Sequence, residues 1–342
     1  MPGLLGHPVQ AALLGHVASI ADAIRAEMCL CHADTYARFA AGGTPHEPDF
    51  VATLVHRLPN RIVNATTPNL PSSLTMQVIG IFIHQSPMAT FLGSRCELGD
   101  MLIAARAMKP QGSDGVATLV QVKKASSANR ATIASLAGAP QYQLYDQWPP
   151  FVVSAWNPNA IGLPCTPEQG VLGIVNAAPC ALPVSQPPLY AHWGWEDFRA
   201  KYVVKDLASS WAEVIAFAGG QDFLLPATNA PKGFDDWSYV IQQLLLHTAQ
   251  LTYNRRPSGR VNAPRANIVT MATSMPYFLT FQGDVLDDID FYGDGEPPKR
   301  GTYELGPDDG GGFGMILVEF FSSEWSAEPS DDRWRRRDLP RG

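Results

Sequence analysis

Cys96-Glu97-Leu98-Gly99-Asp100-Met101-Leu102-Ile103, then a turn, then Thr118-Leu119-Val120-Gln121-Val122-Lys123-Lys124, is the stretch from which the rest of this chain is read. Two apolar runs, 101–108 and 116–122, flank Lys109-Pro110-Gln111-Gly112-Ser113-Asp114-Gly115. Apolar runs parted by proline and glycine predict a β-hairpin with a longer loop. Symmetry about the Gln111–Gly112 point would set Asp100 opposite Lys123. Gln121 and Lys123 are two residues apart and so share a strand face. An acid, an amide and an amine are thereby expected on one polar patch at the end of an apolar ribbon.

That trio suits metal-assisted cleavage of a phosphodiester. The Asp100 carboxylate is a hard oxygen ligand of the kind Mg²⁺ (or Mn²⁺) takes, and the Gln121 side-chain carbonyl adds a neutral oxygen. Lys123 would orient the attacking water or neutralise charge building on phosphate. The plain alternative is an ordinary hairpin with a surface acid and amine.

Asp100 followed by Gln121-x-Lys123 at the end of the next strand resembles the PD-(D/E)XK nuclease superfamily in its Gln-x-Lys, Mrr-like form. The resemblance covers residues 47–148. Gly99 stands where a proline is usual, and Gln121 replaces the usual acid, so a second carboxylate is wanted from elsewhere. Members of the superfamily often take it from an upstream helix. Glu47, in His46-Glu47-Pro48-Asp49-Phe50, opens a predicted helix over 48–58 and is the first choice. Glu97 is its substitute. It lies three residues before Asp100, so an unbroken strand would turn it the other way unless Gly99 bends the chain. Glu27 is a weaker third.

The resemblance implies a restriction-endonuclease-like mixed β-sheet flanked by helices, hence an α/β fold. It implies DNA as substrate, with RNA left open, and a setting in bacterial restriction or anti-phage defence. Residues 1–156 would form the nuclease domain and 157–330 an α+β region for recognition or assembly. Residues 331–342, with Arg333-Trp334-Arg335-Arg336-Arg337, would be a disordered basic tail or a contact arm. The rival class is a catalytically inactive nuclease-fold scaffold in a defence complex, which Gln121 and net acidity keep open. A protein partner or homo-oligomer fits either class.

Composition sets outer bounds. The net charge of −7 argues against a broadly basic nucleic-acid coat but leaves room for a local basic groove. Lys123, Lys124 and Arg130, with no acid between 115 and 145, mark that groove as a candidate phosphate cradle, aided by a predicted Ala-rich helix over 128–137. Five cysteines are an odd count without disulfide-scaffold spacing, so reduced thiols in a cytoplasm are expected. Cys29-Leu30-Cys31-His32 lacks a second ligand pair and reads as buried thiols on a helix rather than a zinc site. No apolar run reaches the roughly 18 residues of a membrane span, and no basic segment precedes the first apolar residues.

Elsewhere the pattern predicts a helix over 9–40, ended by Gly42-Gly43-Thr44-Pro45, and a strand over 76–84 beside the central hairpin. His84, at the end of that strand, reads as a surface or supporting residue. Short strands are expected at 151–156 and 170–175, helices at 196–202, 209–218 and 237–253, and strands over 267–282 and 310–321. The arginines at 255, 256, 260 and 265 and the acids between 284 and 296 read as solvated loops.

Overall fold

The computed structural model describes residues 7–39, 45, 47–83, 87–125, 140, 144, 149, 151–153, 170–176, 191–193, 205–226, 236–250, 268–274, 312–322 and 324–325. For Gln121, Lys123 and Lys124 it describes the backbone alone. It is a mixed α/β structure. Helices α1 (Pro8–Leu13), α2 (Val17–Arg38) and α3 (Glu47–Thr66) come first. Strands β1 (Leu74–Ile83), β2 (Met88–Phe91), β3 (Ser94–Glu97), β4 (Met101–Lys109), β5 (Gly112–Ala125), β6 (Val152–Val153), β7 (Gly170–Asn176), β8 (Ala191–Trp193) and β9 (Lys205–Asp206) follow. Helix α4 (Leu207–Ile215), β10 (Gln221–Pro226), α5 (Asp236–Gln250), β11 (Ile268–Thr273) and β12 (Phe313–Ser322) complete the described elements.

The main sheet runs β11-β1-β12-β4-β5-β7-β8-β9, with β10 sharing the outer edge of the long β5. β12 is parallel to β4 and β7 to β5, and the remaining pairs are antiparallel. Alternation along the strands sorts the apolar residues into two layers. Met101, Ile103, Val120, Val122, Ile316 and Val318 pack with α1–α4 on one face. Leu102, Ala104, Leu119, Met315 and Leu317 pack with α5 and a small β3-β2-β6 sheet on the other.

Two expectations about connectivity need correcting. β1 does not lie beside the hairpin, because β12, some 230 residues later in the chain, is inserted between β1 and β4. The sheet therefore crosses the boundary expected at residue 156. The hairpin itself has no long loop: Lys109 pairs with Gly112 around the two-residue turn Pro110-Gln111. Pro110 pre-sets the first central position, and Gly112 takes φ 139°, a region that favours glycine.

Helix α3 continues past the expected end at Leu58, through Pro59 to Thr66. Pro59 has no N–H for the Val55 carbonyl one turn back. That carbonyl instead faces Gly80 of β1, where even a Cβ would overlap Val55 O and lie 2.9 Å from Pro59 Cγ. Gly80→Ala is accordingly expected to push α3 off the sheet and cost about 1–3 kcal/mol, as overpacking of a filled core does. Urea unfolding of the two proteins measures it, and an unchanged midpoint would show that the helix has room to spare.

The chain's first described residue closes one corner. His7 caps α1 by accepting the Val9 N–H at Nδ1 (3.2 Å), which leaves its proton on Nε2. Its ring stacks on Phe217 (4.8 Å between centroids, 4° between planes) and tilts against Trp325. Phe217 sits at φ 56°, and Gln10 Nε2 donates to its carbonyl at 2.9 Å. Burial holds the His7 pKa below 6.5; Asp114 opposes that shift and Lys109 adds to it. A depressed histidine pKa means the unfolded chain binds the proton first, so the stabilising contribution is intact above pH 6.5 and is lost as pH falls below it. Protonation would also convert Nδ1 from an acceptor into a donor facing the Val9 N–H. His7→Asn keeps a good cap without titrating. The gap in urea midpoint between wild type and His7→Asn is expected to shrink from pH 7.5 to pH 5.5. A pH-independent gap would refute the coupling.

Candidate functional site

Asp100 lies where the chain leaves the small sheet and enters β4, and it is 6% exposed. Its N–H donates to Val120 O at 2.9 Å, although Val120 is already the ladder partner of Met101. Two residues thus stand against one, a bulge that re-aims the first side chain. The Asp100 carboxylate Oδ2 then accepts the Val122 N–H at 2.6 Å, taking a donor that a regular ladder would have given to backbone. On its other side the Asp100 carbonyl accepts the Gly314 N–H of β12 at 2.8 Å. Asp100 therefore faces Val120 and Val122, not Lys123 as the expected hairpin symmetry required. From Met101 onward the ladder is displaced by two residues from the expected symmetry.

Gln121 and Lys123 flank Val122 on β5, where their backbones pair with Leu172 and Ile174 of β7. Their side chains, with that of Lys124, lie outside the described residues, as do Arg130 and His84. Glu47 is half-buried at the first position of α3. Val51, one turn later, packs on Gly314, the ladder partner of Met101. Val55, a turn further, reaches both Gly314 and, on the neighbouring strand, Gly80, so α3 starts over β12 and advances towards β1. Glu47 is thus at the end of the sheet where β4 begins and β5 passes Val122.

The other two acids belong to other elements. Glu97 belongs to β3 of the small sheet and pairs with Met88. The chain changes sheets between Glu97 and Met101, so no continuous strand joins Glu97 to Asp100. Glu27 accepts Arg57 Nε at 2.7 Å, and Arg57 also bridges to Asp34, so Glu27 ties α2 to α3. Cys29 and Cys31 are buried thiols outside any disulfide, Cys31 Sγ lies 3.8 Å from the Thr53 carbonyl, and His32 stacks on Phe50. Among the described residues no three His, Cys, Asp or Glu side chains converge as a metal centre.

The chain matches no known protein family, characterised protein or solved structure. What stands beyond the sequence reading is therefore geometric. Sequence alone missed the Val122 N–H as the partner of Asp100 and Gly314 as the spacer under Val51. The available signal was a glycine inside the apolar run expected as a strand over 310–321. Sequence also missed the buried row Gln77–Glu319–Arg106, whose signal was one acid inside that apolar strand.

Proposed function

We propose that this chain is a metal-dependent nuclease of restriction-endonuclease-like fold that hydrolyses DNA phosphodiester bonds, in bacterial restriction or anti-phage defence. The observation carrying the reading is a buried carboxylate, Asp100, bonded to the backbone between Gln121 and Lys123 at the sheet end where the helix of Glu47 also starts. The donor set fits Mg²⁺ or Mn²⁺: two carboxylates and an amide oxygen are all hard ligands, with no thiolate or imidazole among them. When bound, such an ion supplies an activated water and polarises the phosphate. Lys123 would neutralise charge on the scissile phosphate, and Lys124 and Arg130 would hold the flanking backbone. Among the described residues no helix is long and apolar enough to cross a membrane, and a cytoplasmic site of action suits a defence nuclease.

A second reading, a non-catalytic scaffold on the same fold, draws on one observation: Asp100 Oδ2 already serves the Val122 N–H. Cleavage of plasmid DNA separates the two. The nuclease requires Mg²⁺-dependent cleavage that falls to background in Asp100→Ala and in Lys123→Ala. If wild type and both variants behave alike in every nucleic-acid assay, the enzymatic reading is lost and the scaffold remains.

A further inference from the structure

We infer that Gly314 is a positioning residue that sets the distance between Glu47 and Asp100, an inference that rests on the nuclease reading above. Gly314 touches both halves of that corner. Its N–H donates to the Asp100 carbonyl at 2.8 Å, holding the bulge from which the Asp100 side chain departs. Its α-carbon faces α3. A Cβ there would overlap Val51 Cγ1, lie 3.0 Å from Val55 Cγ1, and come within 3.8 Å of the Asp100 carbonyl. Only a residue without a side chain lets the first turns of α3 rest on β12 at this height. The backbone needs no left-handed conformation here, so the glycine is explained by space and not by φ.

The consequence reaches Glu47 through the helix. Glu47 and Val51 are four residues apart, hence on one face of α3 and about 6 Å apart along its axis. A helix transmits displacement as a rigid rod over one turn, so lifting Val51 lifts Glu47 with it. Asp100 does not follow, because its N–H, carboxylate and carbonyl are all bonded within the sheet. Two ligands of one ion would then separate, and a displacement near 1 Å is enough to cost on the order of 10²-fold in a positioned site. A residue some 190 positions after Lys123 thereby belongs to the same device as the motif.

The test is a double-substitution cycle on Gly314→Ala and Val51→Ala, read as Mn²⁺ affinity by calorimetry without nucleic acid, beside urea unfolding and cleavage kinetics. Gly314→Ala is expected to weaken Mn²⁺ binding about 10- to 100-fold, as loss of a supporting contact does, and to lower kcat while KM for DNA holds. Val51→Ala alone, which adds no bulk and so keeps the fold, is expected to weaken Mn²⁺ binding less than tenfold. Together they restore it, because the added methyl enters the space that Val51 vacates. A purely structural Gly314 would show this compensation in the urea midpoint and none in Mn²⁺ affinity, which would overturn the inference. Wild-type Mn²⁺ affinity in Gly314→Ala, with binding still lost in Asp100→Ala, overturns it too and leaves the nuclease reading standing. A wild type with neither Asp100-dependent Mn²⁺ binding nor cleavage overturns both.

Discussion

Arg106→Ala is expected to destabilise the protein by about 3–5 kcal/mol, the cost of leaving a buried charge without its partner. Glu319 on β12 is fully buried, and its carboxylate is shared by two neighbours in the sheet. Arg106 on β4 donates from Nε to Oε1 at 2.8 Å and pairs with the same oxygen through Nη2, while Gln77 on β1 donates Nε2 to Oε2. The three residues are in register across β1, β12 and β4. Removing Arg106 leaves an anion under the second core layer with only an amide to hold it. Replacing both ends, Arg106→Met with Glu319→Leu, is expected to recover most of the loss, since apolar pairs of similar volume often match buried ion pairs. Urea unfolding of the wild type, the single and the double variant decides it. A single-variant loss below about 1 kcal/mol would mean that water reaches Glu319 as readily as Arg106 does.

That row also shows what the sequence could and could not reveal. The apolar runs that became β4, β5 and β12 were legible, as were those that became α2, α3 and α5, because neighbouring residues decide those patterns. The partner of Glu319 was not, because pairing across about 213 residues leaves no local trace. The insertion of β12 between β1 and β4 was hidden for the same reason. Helix α3 outruns its expected end at Leu58 because a proline ends a helix only when nothing else accommodates the freed carbonyl, and here Gly80 does. The hairpin was legible to within two residues: its glycine-rich segment looked like a loop, yet Gly112 and Gly115 lie in β5, with Gly115 close under the Ala105 carbonyl. For the candidate site, sequence named Asp100, Gln121, Lys123 and Glu47, and the backbone brings their positions to one end of the sheet. It could not foresee that Asp100 is bonded to Val122, since a bulge depends on the register of three strands.

The bond to Val122 makes Asp100 a residue with two separable functions, and two substitutions are expected to divide them. Asp100→Asn keeps an acceptor oxygen for the Val122 N–H but removes the negative charge. Asp100→Ala removes both and leaves a buried N–H without its acceptor, which costs about 1–3 kcal/mol. Urea unfolding should therefore place Asp100→Asn near wild type and Asp100→Ala below it. DNA cleavage should be at background in both, because a neutral amide holds a divalent ion far less well than a carboxylate does. Order in β5 discriminates further: hydrogen exchange at the Val122 amide should be fast in Asp100→Ala and slow in Asp100→Asn. Cleavage that survives in Asp100→Asn and dies in Asp100→Ala would mean that Asp100 acts only by holding β5 in place. The charge would then have to come from Glu47 with some group outside the described residues, and the proposed ligand role of Asp100 would be withdrawn. Equal unfolding midpoints for the two variants would show instead that water replaces the carboxylate at Val122, so that its burial here is not tight enough to exclude solvent.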